Sequence, residues 1–185
     1  DAARPEIFYK AAAHEVVTDG DPVGRRDDSD NDTPEPELGL VLNSSGAVIA
    51  YGAVNDMSSR SIEGENPLYL PQAKIYTNSC VIAPTLRLVD EVENALDLDI
   101  SMRIERDGAV VFDDRANTSR LHRTLEELAE HLFRGMRFPD GAVLSTGTCL
   151  VPPLEEPVRS GDVVDIEVAG IGRMTNVVTS LSDLH

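Results

Sequence analysis

Apolar and polar positions alternate in short runs along most of this chain, a period of two that predicts strands. Leu38-Gly39-Leu40-Val41-Leu42 and Ala47–Val54 are apolar runs joined by Asn43-Ser44-Ser45-Gly46, turn chemistry that predicts a hairpin. Residues 86–105 alternate in the same way, and Arg106-Asp107-Gly108 then turns into Ala109-Val110-Val111-Phe112, a second hairpin. The chain closes on Asp162–Val168, a Gly170-Ile171-Gly172 bend and Met174–Val178, again with strand periodicity. Helical spacing occurs where Leu121, Leu125, Leu128, Ala129, Leu132 and Phe133 recur on one face. Thr118 and Ser119 are expected to cap that helix, and Phe138-Pro139-Asp140-Gly141 to end it after Arg137. Pro5–Lys10 reads as strand-like, and residues 19–33, almost wholly polar, read as a solvated loop. Many short strands with few helices predict a mainly β, α+β domain.

With 185 residues the chain is expected to form a single domain over 1–185. No apolar run approaches the roughly 18–20 residues of a membrane helix, so no membrane span is expected. The start has neither Met nor a basic and apolar leader, and reads as the later part of something longer. Charge changes the picture further. Thirty-three acidic residues face 16 basic ones, a net of −17, which repels phosphate backbones and argues against nucleic-acid binding. Only two of the basic residues are lysines, Lys10 and Lys74. An acidic, lysine-poor surface suits concentrated salt, so a cytoplasmic protein of a salt-accumulating archaeon is expected. The same scarcity makes both lysines suspects for a chemical role. Cys80 and Cys149 lack metal-ligand spacing and read as buried, reduced thiols.

Candidate chemistry begins at Pro34-Glu35-Pro36-Glu37-Leu38. Residues i and i+2 of a strand share a face, so Glu35 and Glu37 set two carboxylates side by side. Like charges that close call for a cation, and an all-oxygen set favours Mg²⁺, Mn²⁺ or Ca²⁺ over zinc. Two solvated acids on an edge strand satisfy the same spacing. Asp56, at the end of the Ala47–Val54 strand, is the best third ligand, and Lys74 lies beside strand-like sequence. Leu144-Ser145-Thr146-Gly147-Thr148 is a small-residue turn whose N–H groups and hydroxyls could hold a carboxylate.

Taken in order, Pro-Glu-Pro-Glu-Leu, Asn-Asp-Met-Ser-Ser-Arg, Lys-Ile-Tyr and Phe-Pro-Asp-Gly-Ala-Val-Leu-Ser-Thr-Gly-Thr resemble the fumarylacetoacetate hydrolase superfamily. Pro5–Lys10, Glu65–Gln72 and Ile171-Gly172 bring the likeness to its archaeal sugar-acid dehydratases, over essentially the whole chain. The resemblance implies a mixed β-sandwich or β-roll catalytic domain, with a further N-terminal region absent here. It implies a metal triad of Glu35, Glu37 and Asp56 holding Mg²⁺, with Mn²⁺ or Ca²⁺ as substitutes. Lys74 would be the base, with its pKa lowered, and Glu6 a second catalytic acid. Thr148, Gly147, Phe8 and Arg60 would bind substrate. The implied reaction is Mg²⁺-dependent dehydration of a 2-keto-3-deoxy-pentonate to 2,5-dioxopentanoate in pentose catabolism, by a homodimer or homotetramer. Two departures stand out. Ser61 replaces the family's usual aspartate after Arg60, and no convincing His–Glu pair of the kind with which hydrolase members activate water is present, although His14 stands in the right region. Acylpyruvate hydrolysis, oxaloacetate decarboxylation and a non-catalytic metal-binding role remain as alternatives. His122, His131 and His185 read as surface residues.

Overall fold

The alternating runs do form strands. A computed structural model describes residues 3–184; His185 lies outside them. In chain order the strands are β1 (Val23–Arg25), β2 (Asp32–Thr33), β3 (Pro36–Leu42), β4 (Val48–Asp56), β5 (Ser58–Ser59), β6 (Cys80–Leu88), β7 (Asp99–Arg106), β8 (Ala109–Asn117), β9 (Ala142–Ser145), β10 (Val163–Val168) and β11 (Gly172–Ser180). The α-helices are α1 (Arg60–Glu65), α2 (Leu70–Lys74) and α3 (Leu125–Gly135). A five-stranded sheet runs β1-β11-β10-β7-β8, a four-stranded sheet runs β6-β4-β3-β9, and β2 pairs with β5. This is the mainly β architecture the periodicity predicts.

The two larger sheets share one core. Ile100, Met102 and Ile104 of β7 lie opposite Val168, Ile166 and Val164 of β10, and all six are buried. They pack in one cluster with Leu38, Leu40, Tyr51, Ala53 and Leu144 of the four-stranded sheet. Each Val, Leu, Ile or Met side chain among them contributes about 1.5–3 kcal/mol by leaving water. The second predicted hairpin is β7–β8, and its turn residues Asp107 and Gly108 have φ of 51° and 77°. Two left-handed residues match the right-handed twist of the flanking strands, which is why Asp-Gly occurs there.

Three expectations change. The helix starts at Leu125, with the Thr124 hydroxyl accepting from the Glu127 N–H at 3.1 Å. Thr118 instead is buried and donates to the Ala95 carbonyl, while Asn117 caps a separate 3₁₀ turn over Thr118–Arg120. Pro5–Lys10 joins no sheet. The polar segment 19–33 is not merely solvated: Val23, its one branched apolar residue, is buried as β1 pairs in parallel with β11, and Asp32 and Thr33 of β2 are buried beside β5. Hydroxyl bonds such as Ser59 to Ser29 (2.8 Å) let such a polar stretch be buried. Among the described residues no helix is long and apolar enough to cross a membrane.

Candidate active site

The first hairpin builds the acidic cluster. Antiparallel β3 and β4 place Glu37 opposite Val54, and Pro36 opposite Asn55. Residues alternate faces, so Glu35 and Glu37 project on the same side as Val54 and Asp56. Glu35 is pinned there: its N–H donates to Asn55 Oδ1 at 3.1 Å, and its carbonyl accepts from the Asp56 N–H at 2.9 Å. One carboxylate oxygen from each of Glu35, Glu37 and Asp56 then lies within 4.8 Å of the others. The spacing argument and the choice of Asp56 converge on one place.

Burial makes this costly without a cation. Glu37 is 3% exposed, and burial, with Asp56 and Glu35 adding repulsion, pushes its carboxyl up to about 7. The Ser145 hydroxyl and the Gly147 N–H (2.8 Å) donate to the same Glu37 oxygen and oppose that rise. The 144–148 turn does hold a carboxylate, the protein's own. Gly147, at φ 88°, aims its N–H there from a backbone conformation that favours glycine. Burial likewise raises Glu35, against the pull of Lys74. The donor set is all oxygen and carries excess negative charge, which fits a hard divalent cation such as Mg²⁺.

Lys74 ends α2 and is buried at the cluster. Its ammonium donates to Glu35 Oε2 at 2.8 Å and to Ser58 Oγ at 2.5 Å, with Asp56 Oδ2 at 3.4 Å. Its pKa, expected to be lowered beside a bound metal, is shifted here by burial and by the neighbouring side chains. Burial pulls it down, but the carboxylates of Asp56 and Glu35 outweigh that and push it up to about 12. Lys74 is the acids' counter-ion here. The Phe8 ring covers it, with Nζ 5.8 Å from the ring centroid.

A cavity of about 1080 Å³ opens onto Glu37 and Asp56, and Glu6, Phe8, Lys10, Gly147 and Thr148 also line it. The Thr148 hydroxyl is engaged with backbone, at 2.9 Å from both the Pro36 and Leu150 carbonyls. Arg60 stands apart from the lining: its guanidinium donates to the Pro152 carbonyl at 2.9 Å, tying α1 to the 150s segment. The lining includes Ala13 and Val16 but not His14. His122, although exposed as expected, lines the rim with Arg120. Sequence reasoning did not identify Ser58, and it offered Ser145 only within a turn able to hold some carboxylate. A serine carries no periodicity or charge to mark it, and only the fold sets these hydroxyls on Lys74 and Glu37.

With this geometry in place, the comparisons agree. The family described as fumarylacetoacetate (FAA) hydrolase C-terminal matches residues 1–179, and this chain belongs to that family. More particularly, the chain is 49% identical over 181 residues to a probable 2-keto-3-deoxyxylonate dehydratase of Haloferax volcanii, covering 98% of this chain and 62% of that protein. It is 42% identical over 178 residues to the 2-dehydro-3-deoxy-D-arabinonate dehydratase of Saccharolobus solfataricus, covering 96% and 60%. A solved structure of 2-keto-3-deoxy-D-arabinonate dehydratase complexed with magnesium and 2,5-dioxopentanoate superimposes with a TM-score of 0.94 at 41% identity, covering 97% of this chain and 64% of that one. The chain thus spans about three-fifths of the length of these curated relatives.

Proposed function

We propose that residues 1–185 form the catalytic domain of a divalent-metal-dependent hydro-lyase that dehydrates a 2-keto-3-deoxy-pentonate to 2,5-dioxopentanoate. The observation that carries this reading is the cluster of Glu35, Glu37 and Asp56, with Lys74 on two of its members behind the cavity lining and with Glu37 and Asp56 open to the cavity. A divalent cation bound there would polarise the keto group of a 2-keto acid and acidify its C3 hydrogens. Lys74 handles the C3 proton at Nζ once Glu35 and Asp56 are engaged elsewhere, and Glu6, on the cavity wall, assists departure of the C4 hydroxyl. Loss of water across C3–C4 leaves a C3=C4 enone; transfer of a proton from C5 to C3 gives the C4=C5 enol, which gains a proton at C4 and loses the C5 hydroxyl proton to become the aldehyde. Phe8 shields Lys74; Gly147 and Thr148 shape the floor, with Gly147 holding Glu37. The relatives named for this chemistry support the substrate class.

The exposed Leu86 and Leu88 of edge strand β6 support a homodimer or homotetramer. The net charge of −17 supports work in concentrated salt.

The test is turnover of 2-keto-3-deoxy-D-arabinonate in roughly molar KCl, where surface charges are screened, with and without Mg²⁺, in parallel with Lys74→Met. Metal-dependent 2,5-dioxopentanoate from the wild type is expected, with none from a variant that still binds Mn²⁺. An active Lys74→Met protein would remove the assignment of the base. Consumption of acylpyruvates or oxaloacetate in place of the pentonate would move the reaction to C–C cleavage.

A further inference from the structure

The chain contains two lysines, and both ammonium groups end on one carboxylate. Lys74 Nζ lies 3.4 Å from Asp56 Oδ2, and Lys10 Nζ lies 2.5 Å from Asp56 Oδ1. Lys10 arrives from the segment that carries Glu6 and Phe8 along the cavity, and its side chain is 15% exposed. It also donates to the Met57 carbonyl at 2.8 Å and to the Lys74 carbonyl. Its two hydrogen bonds thus go to backbone carbonyls, and it meets Asp56 Oδ1, which accepts no hydrogen bond, as an ion pair. Lys10 therefore reaches the cluster through its charge.

That charge can be counted. Three carboxylates and two ammoniums give the cluster a formal −1. A divalent cation brings it to +1, and one monoanionic acid then brings it to zero. Without Lys10 the loaded cluster would be neutral before any acid arrived. Glu6 and Glu63 lie outside this count: Glu6 is exposed on the cavity wall, and Glu63 is half-buried on α1 beside Lys74 and Glu35. In a chain of net charge −17, most of the surface repels an anion, so a local positive excess is what draws one in.

We propose that Lys10 is the charge-balancing residue of this site, keeping the cation-loaded cluster net positive and so selecting a monoanionic 2-keto acid. This rests on the metal-dependent reading above. The test measures Mn²⁺ binding by electron paramagnetic resonance, and pyruvate binding to the Mn²⁺-loaded protein by calorimetry. Both are run on the wild type, Lys10→Gln and Lys10→Arg. Lys10→Gln keeps an amide donor and loses the charge. It should bind Mn²⁺ about tenfold more tightly and pyruvate about tenfold more weakly.

The opposed signs discriminate, because a residue that merely anchors the segment would weaken both when lost. Lys10→Arg keeps the charge and should stay within about threefold of the wild type for both ligands. Parallel losses in Lys10→Gln, or no change in either affinity, would overturn the proposal. If Lys10→Gln does not fold, Lys10→Arg decides: a tenfold loss of pyruvate affinity in that folded variant would overturn it, and retention would support it. A wild type that binds no Mn²⁺ would sink the functional reading itself, a result distinct from any difference among the variants.

Discussion

Replacing Arg106 with methionine removes the guanidinium that holds the buried Asp162 carboxylate. Arg106 ends β7 and Asp162 precedes β10, and the pair is bidentate, Nε to Oδ1 at 2.8 Å and Nη2 to Oδ2 at 2.7 Å. Asp162 is 1% exposed and Arg106 22%, so solvent cannot replace the lost partner in place. One further donor remains, the Arg159 N–H at 2.8 Å. Stranding a buried charge costs about 3–5 kcal/mol, and the partial exposure of Arg106 places this case near 3. The more exposed pair Arg173–Asp165 has the same bidentate chemistry, Nε to Oδ1 and Nη2 to Oδ2, with Arg173 64% exposed, and should be worth less than about 1 kcal/mol. Urea unfolding of Arg106→Met and Arg173→Met, each at low salt and in roughly 2 M KCl, separates the two situations. At that salt the Debye length falls to about 3 Å or less, so the surface pair should lose its small contribution while the buried pair keeps most of its own. Equal costs for the two variants, or an Arg106→Met cost that disappears in KCl, would refute the argument from burial.

Two further outcomes follow from the geometry. Burial raises Asp32 to about 6, so the stability it contributes is full below the ordinary aspartate value and is lost as pH rises through about 6. Unfolding free energy measured from pH 4 to 7 should therefore fall for the wild type and run flatter for Asp32→Asn; parallel curves would contradict this. Gly141 has φ of 83°, and a Cβ there would stand 2.3 Å from the Leu42 carbonyl oxygen. Gly141→Ala should thus cost more than the roughly 1–2 kcal/mol of left-handed strain alone. Gly147→Ala, with open space around its Cβ, should cost no more than that strain, and a thermal-melt comparison of the two checks the ranking.

Much of the fold was legible because its signals are local. The period of two in β7 and β10 is an accurate record of which side chains meet the core, and Asp107-Gly108 states its turn type in two residues. The start of α3 was misread because Thr118 and Ser119 have capping chemistry that tertiary contacts use elsewhere: Thr118 bonds to the distant Ala95 carbonyl. Segment 19–33 was misread because composition cannot show that polar groups will find buried partners. The acidic pair was visible from spacing, yet spacing alone could not separate a metal site from two solvated acids.

The sequence by itself determined the strands, the common face of Glu35 and Glu37, and the suspicion that falls on two rare lysines, since each depends on chain geometry over a few residues or on composition. The sequence also put Asp56 forward as the third acid, but only the tertiary structure decided that Glu37 is the carboxylate Ser145 and Gly147 hold, and that Lys10 and Lys74 meet on opposite oxygens of Asp56. Those partners lie as far as 110 residues apart in the chain. The pKa values of Glu37 and Lys74 follow from the same assembly: Lys74, expected to lose its proton readily beside a bound metal, is held as an ammonium by the acids the fold places around it. A charge's behaviour is set by what surrounds it in three dimensions, and that information is not local to any stretch of the chain.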